Sequence, residues 1–280
     1  MTTFGFTQLD VFTATPLQGN PLAVVHAADA LTGAQMQAFA NWTNLSETTF
    51  LLAPTDAGAD YRVRIFTTAR ELPFAGHPTL GSCHAWLEAG GVPKGREIVQ
   101  QCGAGLVRIR RDGDRLAFAA PPLVRSGPVE AVVLEQIARS LRIAPAAIRA
   151  SQWVDNGPGW VAVLLGSRAE VLALAPEVVA MRGIELGVVG PWPGLEPDEP
   201  AQFEVRAFIP GESVKEDPVT GSLNAGLAQW LIGAGLAPPR YVASQGTALG
   251  RAGRVHVERV EGDIWIGGNT VVCIEGRVTL

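Results

Sequence analysis

The sequence predicts an α/β chain of two related lobes, each a curved, mostly antiparallel sheet wrapped around one central helix. Three observations predict it. Glu71-Leu72-Pro73-Phe74-Ala75-Gly76-His77 and Glu216-Asp217-Pro218-Val219-Thr220-Gly221-Ser222 share the skeleton E-x-P-x-x-G, 145 positions apart in a chain of 280. Each segment opens a helix whose apolar residues recur at helical spacing: Leu80, Cys83 and Leu87 in one, Leu223, Leu227 and Leu231 in the other. Glycines at Gly90 and Gly235 supply the left-handed stops. The remaining elements read mainly as strands, and 32 glycines with 20 prolines provide the tight turns that such a chain needs.

The elements follow in order. Phe6–Phe12 alternates as a strand, and the turn Thr15–Pro21 leads to a second strand, Leu22–His26. Thr32 with Gln35 three residues on is a capping box, opening a helix whose buried stripe is Met36, Phe39, Ala40 and Thr43 and whose stop is Asn44. Thr48–Leu52 and Tyr61–Phe66 are β-branched and aromatic strands. After the first repeat helix come strands near Glu97–Gln101, Leu106–Arg111 and Leu116–Ala119.

Pro121-Pro122 and Ser126-Gly127-Pro128 then interrupt the pattern, giving lobes of 1–124 and 125–280 with the last strand a candidate to pack back on the first. The second lobe reads as a helix near Val132–Leu141, strands near Gln152 and Val161–Leu165, and a short helix after Pro176. Four prolines make Pro191–Pro200 a surface loop. A strand near Phe203–Ile209, the second repeat helix, and strands near Val255, Ile264 and Val271 complete it.

Composition narrows the function. A net charge of −5 with no basic run argues against nucleic acid and against an anionic membrane surface. No apolar run approaches the ~20 residues of a membrane span, and Met1–Phe12 lacks the basic and apolar regions of a signal peptide. Three widely spaced cysteines suggest no disulfide framework, so a reducing cytoplasm is expected. No H-E-x-x-H, no C-x-x-C and no histidine cluster offers a metal site, and no P-loop or dinucleotide-binding glycine motif occurs, so neither metal nor cofactor is expected.

The chemistry that remains belongs to side chains. A glycine-lined helix start presents free N–H groups and a positive dipole end, so Gly76 and Gly221 facing one cleft would grip a small carboxylate. Glu47, in Asn44-Leu45-Ser46-Glu47-Thr48-Thr49-Phe50, is either a solvated surface group or a general base whose pKa Leu45 and Phe50 raise by desolvation. His77 is a packing residue or a neutral imidazole facing substrate, since the dipole disfavours its charged form. Asp217 and Glu216 either compensate the dipole or do chemistry, and Ser222 is a candidate cap. Lys215 is a possible Schiff-base residue that the neighbouring carboxylates would hold charged. A serine-hydrolase triad of Ser222, His77 and Asp217 is the rival enzyme, although G-x-S-x-G is absent. A non-catalytic binder of small anions is the other alternative.

Motifs along almost the whole chain resemble the PhzF-like family, the phenazine-biosynthesis isomerases. They are Asp10-Val11-Phe12, Gly19-Asn20-Pro21-Leu22-Ala23-Val24, the Glu47 segment, Arg64-Ile65-Phe66-Thr67, and the two repeat segments. Asn156-Gly157-Pro158, Gln245-Gly246 and Gly250-Arg251 continue the series. The resemblance implies the diaminopimelate epimerase fold, with the active site between two lobes, and a cofactor-independent isomerase that moves a proton on a small carboxylated substrate. It implies Glu47 as general acid/base, with His77, Asp217, Ser46 and Ser222 binding substrate or supporting it, and backbone N–H groups at Gly76 and Gly221 holding the carboxylate. It also implies a homodimer. None of the three cysteines stands at a helix start, and Cys83, a turn inside the first repeat helix, is expected in the core.

Overall fold

The structure is a computed structural model, and it describes residues 1–194, 201–211 and 215–280. The chain divides into two compact units, Met1–Ala119 with Gly267–Leu280, and Ala120–Ile266.

The first unit runs β1 (Thr3–Val11), β2 (Asn20–Val25), α1 (Gly33–Thr43), β3 (Glu47–Leu52), β4 (Tyr61–Phe66), β5 (Glu71–Leu72) and α2 (Gly76–Glu88). It continues with β6 (Ile98–Cys102), β7 (Gly105–Asp112) and β8 (Arg115–Ala119). The second unit runs β9 (Arg125–Gly127), α3 (Ala131–Leu141), β10 (Ala150–Asp155), β11 (Trp160–Leu164), α4 (Arg168–Leu172), β12 (Glu185–Pro191) and β13 (Phe203–Phe208). β14 (Glu216–Asp217), α5 (Gly221–Gly233), β15 (Arg240–Gln245), β16 (Gly253–Val260) and β17 (Asp263–Gly268) follow. β18 (Thr270–Thr279) returns to the first unit, antiparallel to β1.

Strand pairing repeats between the units. β2 and β3 are parallel, β3 and β4 antiparallel, β4 and β5 antiparallel, β4 and β6 parallel. β11, β12, β13, β14 and β15 pair in the same senses and the same order. Parallel neighbours need a crossover; α1 and α2 supply it in one unit, α4 and α5 in the other.

Both central helices lie inside their units. Gly76–Cys83 of α2 and Gly221–Ala228 of α5 are buried without interruption. A wholly buried helix must satisfy its polar side chains internally. Thr79 Oγ1 donates to Ala75 O at 2.9 Å, and Ser82 Oγ to Thr49 Oγ1 at 2.9 Å. Contact is close enough to require glycine: a Cβ on Gly81 would lie 2.6 Å from Leu22 and 2.7 Å from Leu9, and one on Gly226 would lie 2.2 Å from the carbonyl oxygen of Val154. These glycines occupy the same place in the two helices, five residues after Gly76 and Gly221. The outer sheet faces carry α1 over Val25, Phe50 and Phe66, and α3 over Val161, Leu186 and Phe208.

The capping box at Thr32 and Gln35 is present, and Asn44 stops α1 with φ at 55°. Three expectations need correction. The short helix after Pro176 is a single 3₁₀ turn, Val178–Met181. Pro191 closes strand β12 and opens no loop, while 195–200 of the expected loop lie outside the described residues. β9, β12, β15 and α4 add elements where none were expected. Cys83 is core, and burial pushes its thiol up to about 12.

Candidate active site

The glutamate of the repeated skeleton is structural in both units. Glu71 receives two hydrogen bonds from Arg64, at 2.7 and 2.6 Å, and Glu216 receives two from Arg206, both 2.8 Å. Each arginine also lies 5.0 Å over a phenylalanine ring two residues on, Phe66 or Phe208. The pairing registers match, Phe66 opposite Glu71 and Phe208 opposite Glu216. This Arg-Phe-Glu clasp fixes the short strand that delivers the chain to each helix start. Dipole compensation is therefore not the role of Glu216, and Lys215 Nζ donates to Pro210 O at 3.2 Å.

Neither helix is capped by a side chain. α2 begins after Ala75, which has none to offer, and Pro78 lacks an N–H, so its first turn presents the N–H groups of Gly76 and His77. α5 begins after Thr220, and Thr220 does not cap it. Ser222 is no cap either: it lies inside the helix, where its Oγ accepts from Trp160 Nε1 at 3.0 Å and its carbonyl accepts from Asn156 Nδ2 at 2.8 Å. Buried helix starts with open donors are ready anion sites.

In the first unit Glu47, the first residue of β3, meets His77. His77 is 3% exposed and Glu47 15%, with His77 Nε2 at 3.5 Å from Glu47 Oε2. That contact is an ion pair only if the imidazole is charged, and burial prevents it by holding the pKa at about 3. A neutral ring has one donor nitrogen. Asn20 Nδ2 donates to His77 Nδ1 at 3.2 Å, which leaves the hydrogen on Nε2, the nitrogen facing the carboxylate. The opposite tautomer would aim a lone pair at Glu47. Nε2 lies just beyond hydrogen-bond reach, so the pair is adjacent and not locked. Ser46 sits half-buried on the turn before β3.

In the second unit Asp217 is buried on β14. Thr220 Oγ1 donates to its Oδ2 at 2.6 Å, a charge-assisted length. Gln245, on β15, donates to Thr220 Oγ1 at 2.9 Å and to Asp217 O at 3.1 Å. Its Oε1 accepts from Thr220 N at 3.0 Å and Asn224 Nδ2 at 2.9 Å. A triad would need His77 bonded to both Asp217 and Ser222. His77 Nδ1 is taken by Asn20, Nε2 makes no hydrogen bond, and Ser222 Oγ faces an indole donor that cannot accept a proton.

Sequence reasoning missed three hydrogen-bonding partners of these residues and a fourth residue of matching ladder position. Asn20 and Gln245 were legible only as motif letters, and Thr220 only as a helix flank. The fourth is Glu185. Leu22 stands opposite Glu47 and Trp160 opposite Glu185, while Thr48 and Leu186 face the matching Phe66 and Phe208. Glu185 therefore holds in the second unit the ladder position of Glu47 in the first. Its signal is the recurrence of Arg64-x-Phe66 as Arg206-x-Phe208, which aligns the flanking strands. Among the described residues no group of three or more His, Cys, Asp or Glu gathers as a metal site, and no helix is long and apolar enough to cross a membrane.

The family described as phenazine biosynthesis-like protein matches residues 9–276. Antisense-enhancing sequence 1 of Schizosaccharomyces pombe is 36% identical, with 99% of each chain covered. The trans-2,3-dihydro-3-hydroxyanthranilate isomerase of Pseudomonas aeruginosa is 33% identical over 97% of this chain and 98% of its own. A crystal structure of the Bacillus anthracis phenazine biosynthesis protein of the PhzF family shares the fold, with TM-score 0.83, 22% identity and full coverage of both chains. This chain belongs to the phenazine biosynthesis-like family, a family of isomerases.

Proposed function

We propose that the chain moves a proton on a small carboxylated substrate, with Glu47 as general acid/base and the open first turns of α2 and α5 holding the substrate carboxylate. One observation carries this reading. A carboxylate at a strand start lies 3.5 Å from a buried imidazole that burial keeps neutral, at an uncapped helix start.

A glutamate of ordinary pKa, about 4.3, is a weak base at neutral pH. Substrate that covers Glu47 removes water and raises that pKa toward the working range. Glu47 then takes a proton from a substrate carbon, the electron pair enters the conjugated system, and Glu47 returns the proton to a second carbon. His77 offers Nε2–H to the carboxylate in one state and relaxes from it in the other, which the 3.5 Å spacing permits. Asp217 orients the substrate through the carboxylate that the Thr220 hydroxyl positions. Ser46 and Ser222 supply hydroxyls, the latter keeping its own hydrogen to donate because Trp160 uses its lone pair. No oxidant or cofactor enters the balance. The resemblance further supports a homodimer, and the three free cysteines fit a reducing cytoplasm.

The Pseudomonas aeruginosa relative's name makes trans-2,3-dihydro-3-hydroxyanthranilate the first substrate to try. Glu47→Gln should lower its turnover by about 10²–10⁴-fold with the fold intact, and Asp217→Asn should cost less. Equal turnover in Glu47→Gln and wild type rules out the role. A second reading, two-base inversion at one carbon by Glu47 and Glu185, is favoured by their shared ladder position.

A further inference from the structure

Thr220 is an anomaly. Threonine at an N-cap ordinarily turns its oxygen onto the N–H of the second or third helical residue, here Ser222 or Leu223. Thr220 is the N-cap of α5 and makes no such bond. The reason is visible in Gln245, which is fully buried with all four of its amide bonding positions engaged. Its orientation admits one solution. Thr220 N–H can only donate, so Oε1 faces it; the carbonyl of Asp217 can only accept, so Nε2 faces it. Nε2 also donates to Thr220 Oγ1, so the hydroxyl hydrogen of Thr220 must leave in another direction, and it goes to Asp217 Oδ2 at 2.6 Å.

We infer that Gln245 is a positioning residue that holds the Thr220 hydroxyl away from its own helix, keeping the first-turn N–H groups of α5 open and Asp217 Oδ2 an acceptor. The inference rests on the proposed function in assigning those N–H groups and Asp217 to substrate. One amide thereby prepares both the anion donors and the orienting carboxylate. Without it, only the bond to Asp217 opposes the ordinary preference of Thr220, and a turn to the capping rotamer would close the donors and release Asp217 together.

The test uses the full chain, with trans-2,3-dihydro-3-hydroxyanthranilate as probe. In wild type, three-bond couplings to Thr220 Cγ2 should report the rotamer that points Oγ1 at Asp217. In Gln245→Leu they should report a turn toward the helix, with the Ser222 or Leu223 amide proton moving downfield. Turnover should fall about ten- to a hundredfold, the scale of one lost hydrogen bond to a charged group. Thr220→Val loses the bond to Asp217 but cannot cap the helix, so it should lose only part of this, the double variant should lose no more than Gln245→Leu alone, and Thr220→Ser should keep near wild-type turnover. A folded Gln245→Leu with an unchanged Thr220 rotamer overturns the inference, as does an additive double variant. Should Gln245→Leu fail to fold, equal turnover in Thr220→Val and wild type overturns it. Should wild type not process the probe, the substrate reading fails, and the Thr220 couplings still decide: a capping rotamer in wild type refutes the positioning role.

Discussion

Acidification separates a neutral His77 from a charged one. Burial holds the folded pKa at about 3, whereas an unfolded histidine titrates near 6.5. Between these values the unfolded chain binds a proton that the folded chain refuses, so stability falls as pH is lowered from 6.5 toward 3. The slope is about 1.4 kcal/mol per pH unit, so at pH 5 the loss from this one residue is about 2 kcal/mol relative to pH 7.5. His77→Gln has no such proton to bind, and the difference between wild type and variant cancels every other titrating group. Urea unfolding at pH 7.5, 6.5, 5.5 and 5.0 measures it. The gap between the two proteins should shift by about 2 kcal/mol across the series, with wild type losing the more. Parallel pH dependences would refute the neutral ring, and a wild type that loses less than the variant on acidification would restore a charged His77 paired with Glu47. Nitrogen-15 imidazole shifts give a second readout: Nδ1 without hydrogen, Nε2 with it, and no titration near pH 6.5.

Other perturbations test the scaffold and the rival chemistry. Gly226→Ala places a methyl 2.2 Å from a rigid backbone oxygen, while Gly81→Ala meets the movable ends of Leu22 and Leu9. Both should destabilise by about 1–3 kcal/mol, Gly226→Ala more, in thermal or urea unfolding. Ser222→Ala should leave the Trp160 indole unpartnered and cost about 1–3 kcal/mol in stability, should lower turnover by no more than about tenfold, the scale of one lost neutral hydrogen bond, and neither form should show fluorophosphonate labelling; labelling of Ser222 in wild type would revive the hydrolase. Dialysis against a strong chelator should leave activity unchanged, and recovery of lost activity by an added ion would overturn the metal-free mechanism.

Much of the architecture was legible because it is written twice. The E-x-P-x-x-G skeleton located both helix starts, and periodicity with glycine stops bounded α2 and α5. What escaped was encoded by close approach. β12 reads poorly as a strand because it contains Gly187 and Gly190, yet both are demanded there: a Cβ would lie 2.4 Å from Leu223 in one case and 2.6 Å from Ser167 O in the other. Local propensity cannot report a neighbour distant in sequence. The same limit applied to the site. Glu47 and His77 were recognisable by residue type, but their contact depends on a parallel ladder and a buried helix. Asn20 acquires meaning only beside His77, and Gln245 only beside Thr220. Glu216 and Ser222 were misread because side-chain direction on a short strand or a first helical turn is set by partners, Arg206 and Trp160, that spacing alone does not reveal.

Turnover of trans-2,3-dihydro-3-hydroxyanthranilate in D₂O tests the role of Glu47 most directly. A single carboxylate that removes and returns the proton on one face should place deuterium at the carbon that gains hydrogen. The label should fall below full occupancy, because the base returns part of the original hydrogen before it exchanges, and Glu47→Gln should abolish the incorporation. Full label at one inverted centre would contradict the single-base mechanism and point to Glu185 as the second base. Undiminished incorporation in Glu47→Gln would contradict the assignment itself.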